Sequence, residues 1–286
     1  MRDADIKGYA RHSPSWRSAL VRSASMSEAA FFDLDKTVIA KSSTLAFGGH
    51  LYRAGMFGRR TLLRAAVGQL MYLLFGADDE TLDKAREAML SLTKGWDRAE
   101  VERIVEEALE EVVAPLVYAE ALFLIDEHLR AGRRVFIVSA SPEEVVRPLA
   151  HYIGVRDVIA TRAKVDEHGK YTGEVEFSAH GPGKAAAVAA KAAADGISLA
   201  DSYAYSDSLT DLPLLELVGH PHAINPEKDL RAIAEERGWP ILEFRRRVTL
   251  AKRLTRPVPL ISGATVAAVI GAGIAWALMR RRRRGA

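Results

Sequence analysis

Two carboxylates stand one residue apart at Asp33 and Asp35, and a hydroxyl, Thr37, follows two residues later. Carboxylate oxygens are hard ligands, so a converging pair can hold a hard cation or divide acid and base duty. An apolar run, Ala29 to Phe32, leads into them. Such a run reads as a buried parallel strand that stops where the acids begin. Ligands of open α/β sheets bind at those carboxyl ends. Standing alone, Asp-x-Asp-x-Thr fits a solvated turn or a helix N-cap as well as it fits a site. Three further stretches tip the balance.

The first is Val135 to Val138, a short β-branched and aromatic strand that runs into Ser139-Ala140-Ser141-Pro142. Pro142 suits the first turn of a new helix over Glu143 to Tyr152. Strand, hydroxyl loop and helix start together make a seat for a phosphate, because free backbone N–H groups point at an anion. Ser139 alone would be an ordinary N-cap. The second is Gly181-Pro182-Gly183-Lys184, which opens an Ala-rich helix over Ala185 to Ala194. A cation there is mildly wrong for the helix dipole, and that mismatch suggests an anionic partner. The third is Ser202 to Tyr205, a strand ending in Ser206-Asp207-Ser208-Leu209-Thr210-Asp211. Asp207 and Asp211 are spaced to share one face, though capping is the plainer use of acids at a helix start.

The elements that must position these groups alternate strand and helix. Val158 to Ala160, Ala163 to Val165 and Tyr171 to Val175 read as short strands, with a turn near Glu167-His168-Gly169. Pro221 to Pro226 reads as the last strand and its turn, and Asp229 to Arg237 as the final helix. Val117 to Leu129 reads as a helix stopped at Ala131-Gly132. Between the first strand and that helix, residues 42–115 are helical throughout. Leu62, Leu63, Ala66, Leu70, Leu73 and Leu74 repeat at helical spacing, and Asp78 to Leu92 is amphipathic. Asp97 caps a helix through Val101, Ile104, Val105 and Leu109, with Glu100 at capping-box distance. A helical insertion directly behind a strand-end motif implies a cap over a site.

Composition sets the outer bounds. The chain has 286 residues and no cysteine, which excludes disulfides and thiolate metal sites. Its net charge is +3, but residues 245–286 hold eleven Arg and Lys and no acid. The first 244 residues are therefore eight charges negative, a sign that repels nucleic acid. His50, His128, His151, His168, His180, His220 and His222 show no metal-ligand spacing. Residues 1–28 are polar and aperiodic, lack the apolar core of a secretory signal and read as a disordered leader, with Met26 available as a later start. Residues 257–279 carry no charge; as a helix they would span about 35 Å, enough for a bilayer core of about 30 Å. Arg-rich flanks at 245–256 and 280–286 leave its direction open. Gly271-Ala272-Gly273 would let two such helices approach, a hint of a homodimer. The expectation is a single-pass membrane protein with its catalytic body in the cytoplasm.

Asp-x-Asp-x-Thr, a serine, a lysine and Asp-Ser-x-x-Asp thus sit, in order, at four strand ends. In that order they resemble the haloacid dehalogenase superfamily, and most closely its phosphoserine-phosphatase-like type IB branch, over residues 28–244. The resemblance implies an α/β fold: a doubly wound parallel sheet of Rossmann-like kind, with 29–41 and 116–244 as the core and 42–115 as an inserted all-helical cap. It implies Asp33 as nucleophile, Asp35 as general acid and base, and Thr37 as the residue orienting that loop. Ser139 and the adjoining Ala140 would bind phosphate and Lys184 would neutralise its charge. Asp33, Asp35 and Asp207 would hold Mg2+, with Ser208 and Asp211 behind them.

The expected function is a membrane-tethered, magnesium-dependent phosphomonoester hydrolase working through a phospho-aspartate. Its substrate would be a small phosphorylated metabolite or a lipid phosphate. The alternatives are a phosphoserine phosphatase and, in another class, a non-catalytic phosphate sensor, which the intact acids oppose. Lys36 replaces the small residue common in phosphoserine phosphatases, and their glycine- and arginine-containing cap segment is not evident after Thr37. Asp35-Lys36-Thr37 also matches the start of the P-type pump signature, but Val38 and Ile39 break it.

Overall fold

The computed structural model describes residues 27–56 and 93–247. The leader up to 26, the repeats at 62–74 and 78–92, the span at 257–279 and its basic flanks beyond 247 lie outside the described residues. Among the described residues, no helix is long and apolar enough to cross a membrane.

Among the described residues, seven strands form one sheet in the order β4-β3-β2-β1-β5-β6-β7. They are β1 (Ala29–Asp33), β2 (Arg134–Pro142), β3 (Asp157–Val165), β4 (Tyr171–Phe177), β5 (Tyr203–Ser206), β6 (His220–Ile224) and β7 (Ile241–Leu242). Every pairing is parallel except β3 with β4, so the expected parallel sheet carries one antiparallel edge. β1 is central and buried along its whole length. Strand alternation sends its two phenylalanines to opposite faces. Phe31 stacks on Phe136 with ring centres 5.1 Å apart, and Phe32 stacks on Tyr205 at 4.3 Å. Each ring anchors a separate apolar layer, so the strand is buried on both faces as far as Asp33.

The helices divide between the faces. Phe32 shares its layer with α1 (Ser43–Arg53), α2 (Arg98–Val113), α3 (Ala119–Arg130) and α4 (Glu143–Tyr152). Phe31 shares the other with α5 (Gly181–Asp195), α6 (Leu212–Leu217) and α7 (Lys228–Glu236). The described ends of the expected cap, α1 and α2, are helical and bury Phe47, Leu51, Val101 and Val105 in the sheet's own core. Asp97 caps α2 by accepting from the N–H of Ala99 and Glu100, an arrangement worth about 1 kcal/mol.

Two expectations need correction. The short strands read at 158–160 and 163–165 are one strand, β3. It pairs with β2 up to Thr161 and with β4 from Arg162, and the polar pair Thr161-Arg162 marks the handover. Nor is the strand near Pro221 the last: β7 adds at its free edge, with Ala223 beside Ile241 and Ile224 beside Leu242.

Candidate active site

The sheet register brings the candidate groups to one end. Asp33 lies beside Val138, so Ser139 follows at the neighbouring strand end. Phe32 lies beside Tyr205, which sets Ser206 and Asp207 at the end on the other side. After Asp33 the chain turns sharply. The N–H groups of Val38 and Ile39 both donate to the Leu34 carbonyl, and Lys36 adopts φ 62°, a left-handed conformation that costs a side-chain-bearing residue some strain. The turn buries Thr37 completely and leaves Lys36 outermost, 58% of its side chain exposed.

α5 supplies the fourth group. Gly181 begins it at φ 50°, and Gly183 lets the helix approach the preceding chain closely: a Cβ there would stand 2.7 Å from the Ser178 carbonyl oxygen. This seating drives Lys184 inward until 2% of it remains exposed. Its ammonium donates to Asp33 Oδ1 at 2.7 Å and lies 2.7 Å from Asp211. Burial works against that charge, but Asp33 and Asp211 outweigh it, and the Lys184 pKa is raised. Ser206 Oγ donates to Asp211 at 2.7 Å and fixes it in turn. Burial is also the largest influence on Asp33 and raises its pKa well above the usual carboxylate range, Lys184 opposing.

Asp207 is 3% exposed and burial pushes its pKa up to about 6; Lys36 opposes this and Glu227 and Asp211 add to it. Thr37 Oγ1 donates to it at 3.4 Å, and Lys36 Nζ lies 3.7 Å from it and 2.7 Å from Glu227. The Glu227 N–H donates to the Asp207 carbonyl, so the β6–α7 loop braces this one. Ser208 accepts from the Thr210 N–H and caps the short turn that carries Asp211. Ser139 is buried and its hydroxyl accepts from the Ser141 N–H at 3.1 Å. Ala140 is exposed in the same loop, its carbonyl accepting from Thr161.

Asp35 is held through both carboxylate oxygens. One oxygen accepts from the Ser43 N–H at 2.8 Å and the other from Ser141 Oγ at 3.0 Å. Its carboxylate is thus engaged by the start of α1 and by the β2–α4 loop. Among the described residues no three acidic or histidine side chains converge as a metal cluster. The donor set nevertheless suits one magnesium ion, which takes one or two carboxylates and completes its shell with water and phosphate. Among the described residues, Asp33, Asp207 and Asp211 are buried carboxylates against the one buried ammonium of Lys184, a surplus of negative charge that a divalent cation beside Asp33 and Asp207 would offset.

Ser141, Ser43, Ser206 and Glu227 were not foreseen. Serines are common in loops; Ser43 and Ser141 matter because they meet from 98 positions apart, Glu227 because it reaches Lys36 across the fold, and Ser206 because it holds Asp211 within its own loop. The only signal was proximity to the motifs.

The family model for haloacid dehalogenase-like hydrolases matches residues 30–216. A Mycobacterium tuberculosis protein named probable phosphatase is 48% identical over 257 residues, covering 88% of this chain and 89% of its own. A phosphoserine phosphatase of the same organism is 34% identical over 262 residues, covering 90% and 82%. Among solved structures, a protein of unknown function from Bordetella pertussis Tohama I has a TM-score of 0.67 at 33% identity, covering 76% of this chain and 98% of that one.

Proposed function

Since the chain belongs to the haloacid dehalogenase-like hydrolases and is a phosphatase of that family, we propose that it hydrolyses phosphomonoesters with magnesium through a phospho-aspartate at Asp33. The observation that carries this reading is the Lys184 ammonium between Asp33 and Asp211 at the carboxyl end of the sheet. Lys184 holds Oδ1 of Asp33. Oδ2 is then the attacking atom: it forms a bond to phosphorus as the bond to the ester oxygen breaks. Asp35 gives that oxygen its proton, so that the alcohol departs neutral and Asp35 remains as a carboxylate. It next takes a proton from water, whose oxygen attacks the same phosphorus and releases Asp33 and inorganic phosphate. Lys184 and the Ser139 hydroxyl steady the phosphoryl oxygens as charge moves. Magnesium, held by Asp33 and Asp207, would supply the remaining positive charge that lets an anion approach an anion.

The substrate class is a small phosphorylated metabolite or a lipid phosphate, and phosphoserine is the second reading, supported by the relative of that name. The uncharged stretch at 257–279 supports a membrane tether. The test is p-nitrophenyl phosphate turnover. It should require magnesium, stop with EDTA and fall by at least a thousandfold in Asp33→Asn with the fold unchanged. Wild-type turnover by that variant would refute the assignment. A panel of phosphorylated amino acids, sugars and lysophospholipid phosphates then separates the substrate readings.

A further inference from the structure

The hydroxyl of Ser141 has a fully used hydrogen-bonding set. It donates to Asp35 Oδ2 at 3.0 Å, receives the Ser43 hydroxyl at 2.9 Å and lies 3.2 Å from the Thr44 hydroxyl. A serine oxygen has one proton to give and two lone pairs to fill, and here all three have partners. Ser43 is wholly buried and Ser141 nearly so, so water does not compete for these contacts. Ser43 also donates its backbone N–H to Asp35 Oδ1 at 2.8 Å. Asp35 therefore accepts at the N-terminus of α1 from outside that helix, whose own N-cap residue, Ser42, makes no side-chain cap bond. Both oxygens of the carboxylate are pinned, one by the helix that opens the insertion and one by the loop that carries Ser139.

We infer that Ser141 is a positioning residue which, with Ser43, fixes the Asp35 carboxyl for proton delivery to the leaving oxygen. The inference rests on the reading of Asp35 as general acid. It adds that the aim of the acid depends on a hydroxyl outside the motif residues and on the seating of α1. Without the Ser141 hydroxyl, one bond to the Ser43 N–H remains, and the carboxyl is free to swing about it. A proton donor that is badly aimed fails where the leaving group needs the proton most. Weakly basic leaving groups depart without it; strongly basic ones do not.

The experiment is a series of aryl phosphates, from p-nitrophenyl to phenyl and methoxyphenyl, with kcat/KM read against leaving-group basicity. That ratio reports only the steps through departure of the leaving group. The wild type should show a shallow dependence and Asp35→Asn a steep one. Ser141→Ala should steepen it too, losing about tenfold more at the basic end than with p-nitrophenyl phosphate, a part of the 10²–10⁴ that general acids supply. Ser141→Thr, which keeps the hydroxyl, should restore the shallow line. If Asp35→Asn is steep while Ser141→Ala runs parallel to wild type, level or uniformly lowered, the inference is overturned and the acid assignment stands. A flat Asp35→Asn line overturns both. Should Ser141→Ala not fold, Ser43→Ala removes the neighbouring hydroxyl instead: a steeper line supports the inference and a parallel one rejects it.

Discussion

Lys184 shows how far a single residue could be read. In the sequence it was a cation at the wrong end of a helix; in the fold it is an ammonium between two buried carboxylates. Chemistry made it conspicuous, because few residue types can neutralise a phosphate. His128 has no such mark, its sequence showing only the lack of metal-ligand spacing. It is 5% exposed, its Nε2 lies 2.8 Å from Tyr205 Oη, and its Nδ1 has no hydrogen-bond partner. Burial, with Arg133 and His222 adding positive field and Glu28 opposing, lowers its pKa to about 4 from 6.5. The fold thus favours the neutral ring. The stability that comes from keeping it neutral is complete above pH 6.5 and is lost as pH falls toward 4. At 1.36 kcal/mol per unit the loss approaches about 3 kcal/mol. Urea melts between pH 7 and pH 4.5 should show that slope in the wild type and a flatter one in His128→Gln, which cannot titrate there. Parallel curves would remove His128 as the cause.

At the scale of elements, the seating of α5 decides whether Lys184 reaches its partners. Gly183→Ala would put a Cβ 2.7 Å from the Ser178 carbonyl oxygen, a backbone atom that cannot rotate away. The helix start must shift, at a cost of about 1–3 kcal/mol. Because a misplacement of ~1 Å at a site can cost ~10²-fold in rate, we expect kcat to fall by at least tenfold and the melting temperature by several degrees. Unchanged kcat in a folded variant would show that the lysine's position does not depend on this approach. The helices α2, α4 and α5 were legible because caps, a proline at the first turn and apolar spacing act locally. β7 was not, because two residues after Trp239-Pro240 become a strand only by meeting the free edge of β6. β3 was divided for a similar reason: its two halves answer to different neighbours, and sequence shows the change of polarity without the partners.

For the molecule as a whole, the separation of charge is the feature that sequence shows most directly. The body is acidic, the last 42 residues hold eleven cations, and 23 uncharged residues lie among those. Two forces could hold such a tail to a membrane, and salt tells them apart. Attraction between Arg side chains and anionic lipid is screened when the Debye length shrinks to ~3 Å at about 1 M salt; insertion of an apolar helix is not. The cut for a tail-less protein is set by the described residues. The Ala119 N–H donates to the Arg246 carbonyl, and Glu120 accepts from the N–H groups of Arg245 and Arg246, so the chain is tied to α3 as far as Arg246. A truncation after Arg247 keeps those bonds. It should turn over p-nitrophenyl phosphate at the full-length rate and float free of anionic vesicles. The full chain should stay with the vesicles in about 1 M salt and leave them only with detergent. Release by salt alone would mean that the tail binds through charge at the surface, and the proposed membrane span at 257–279 would be wrong.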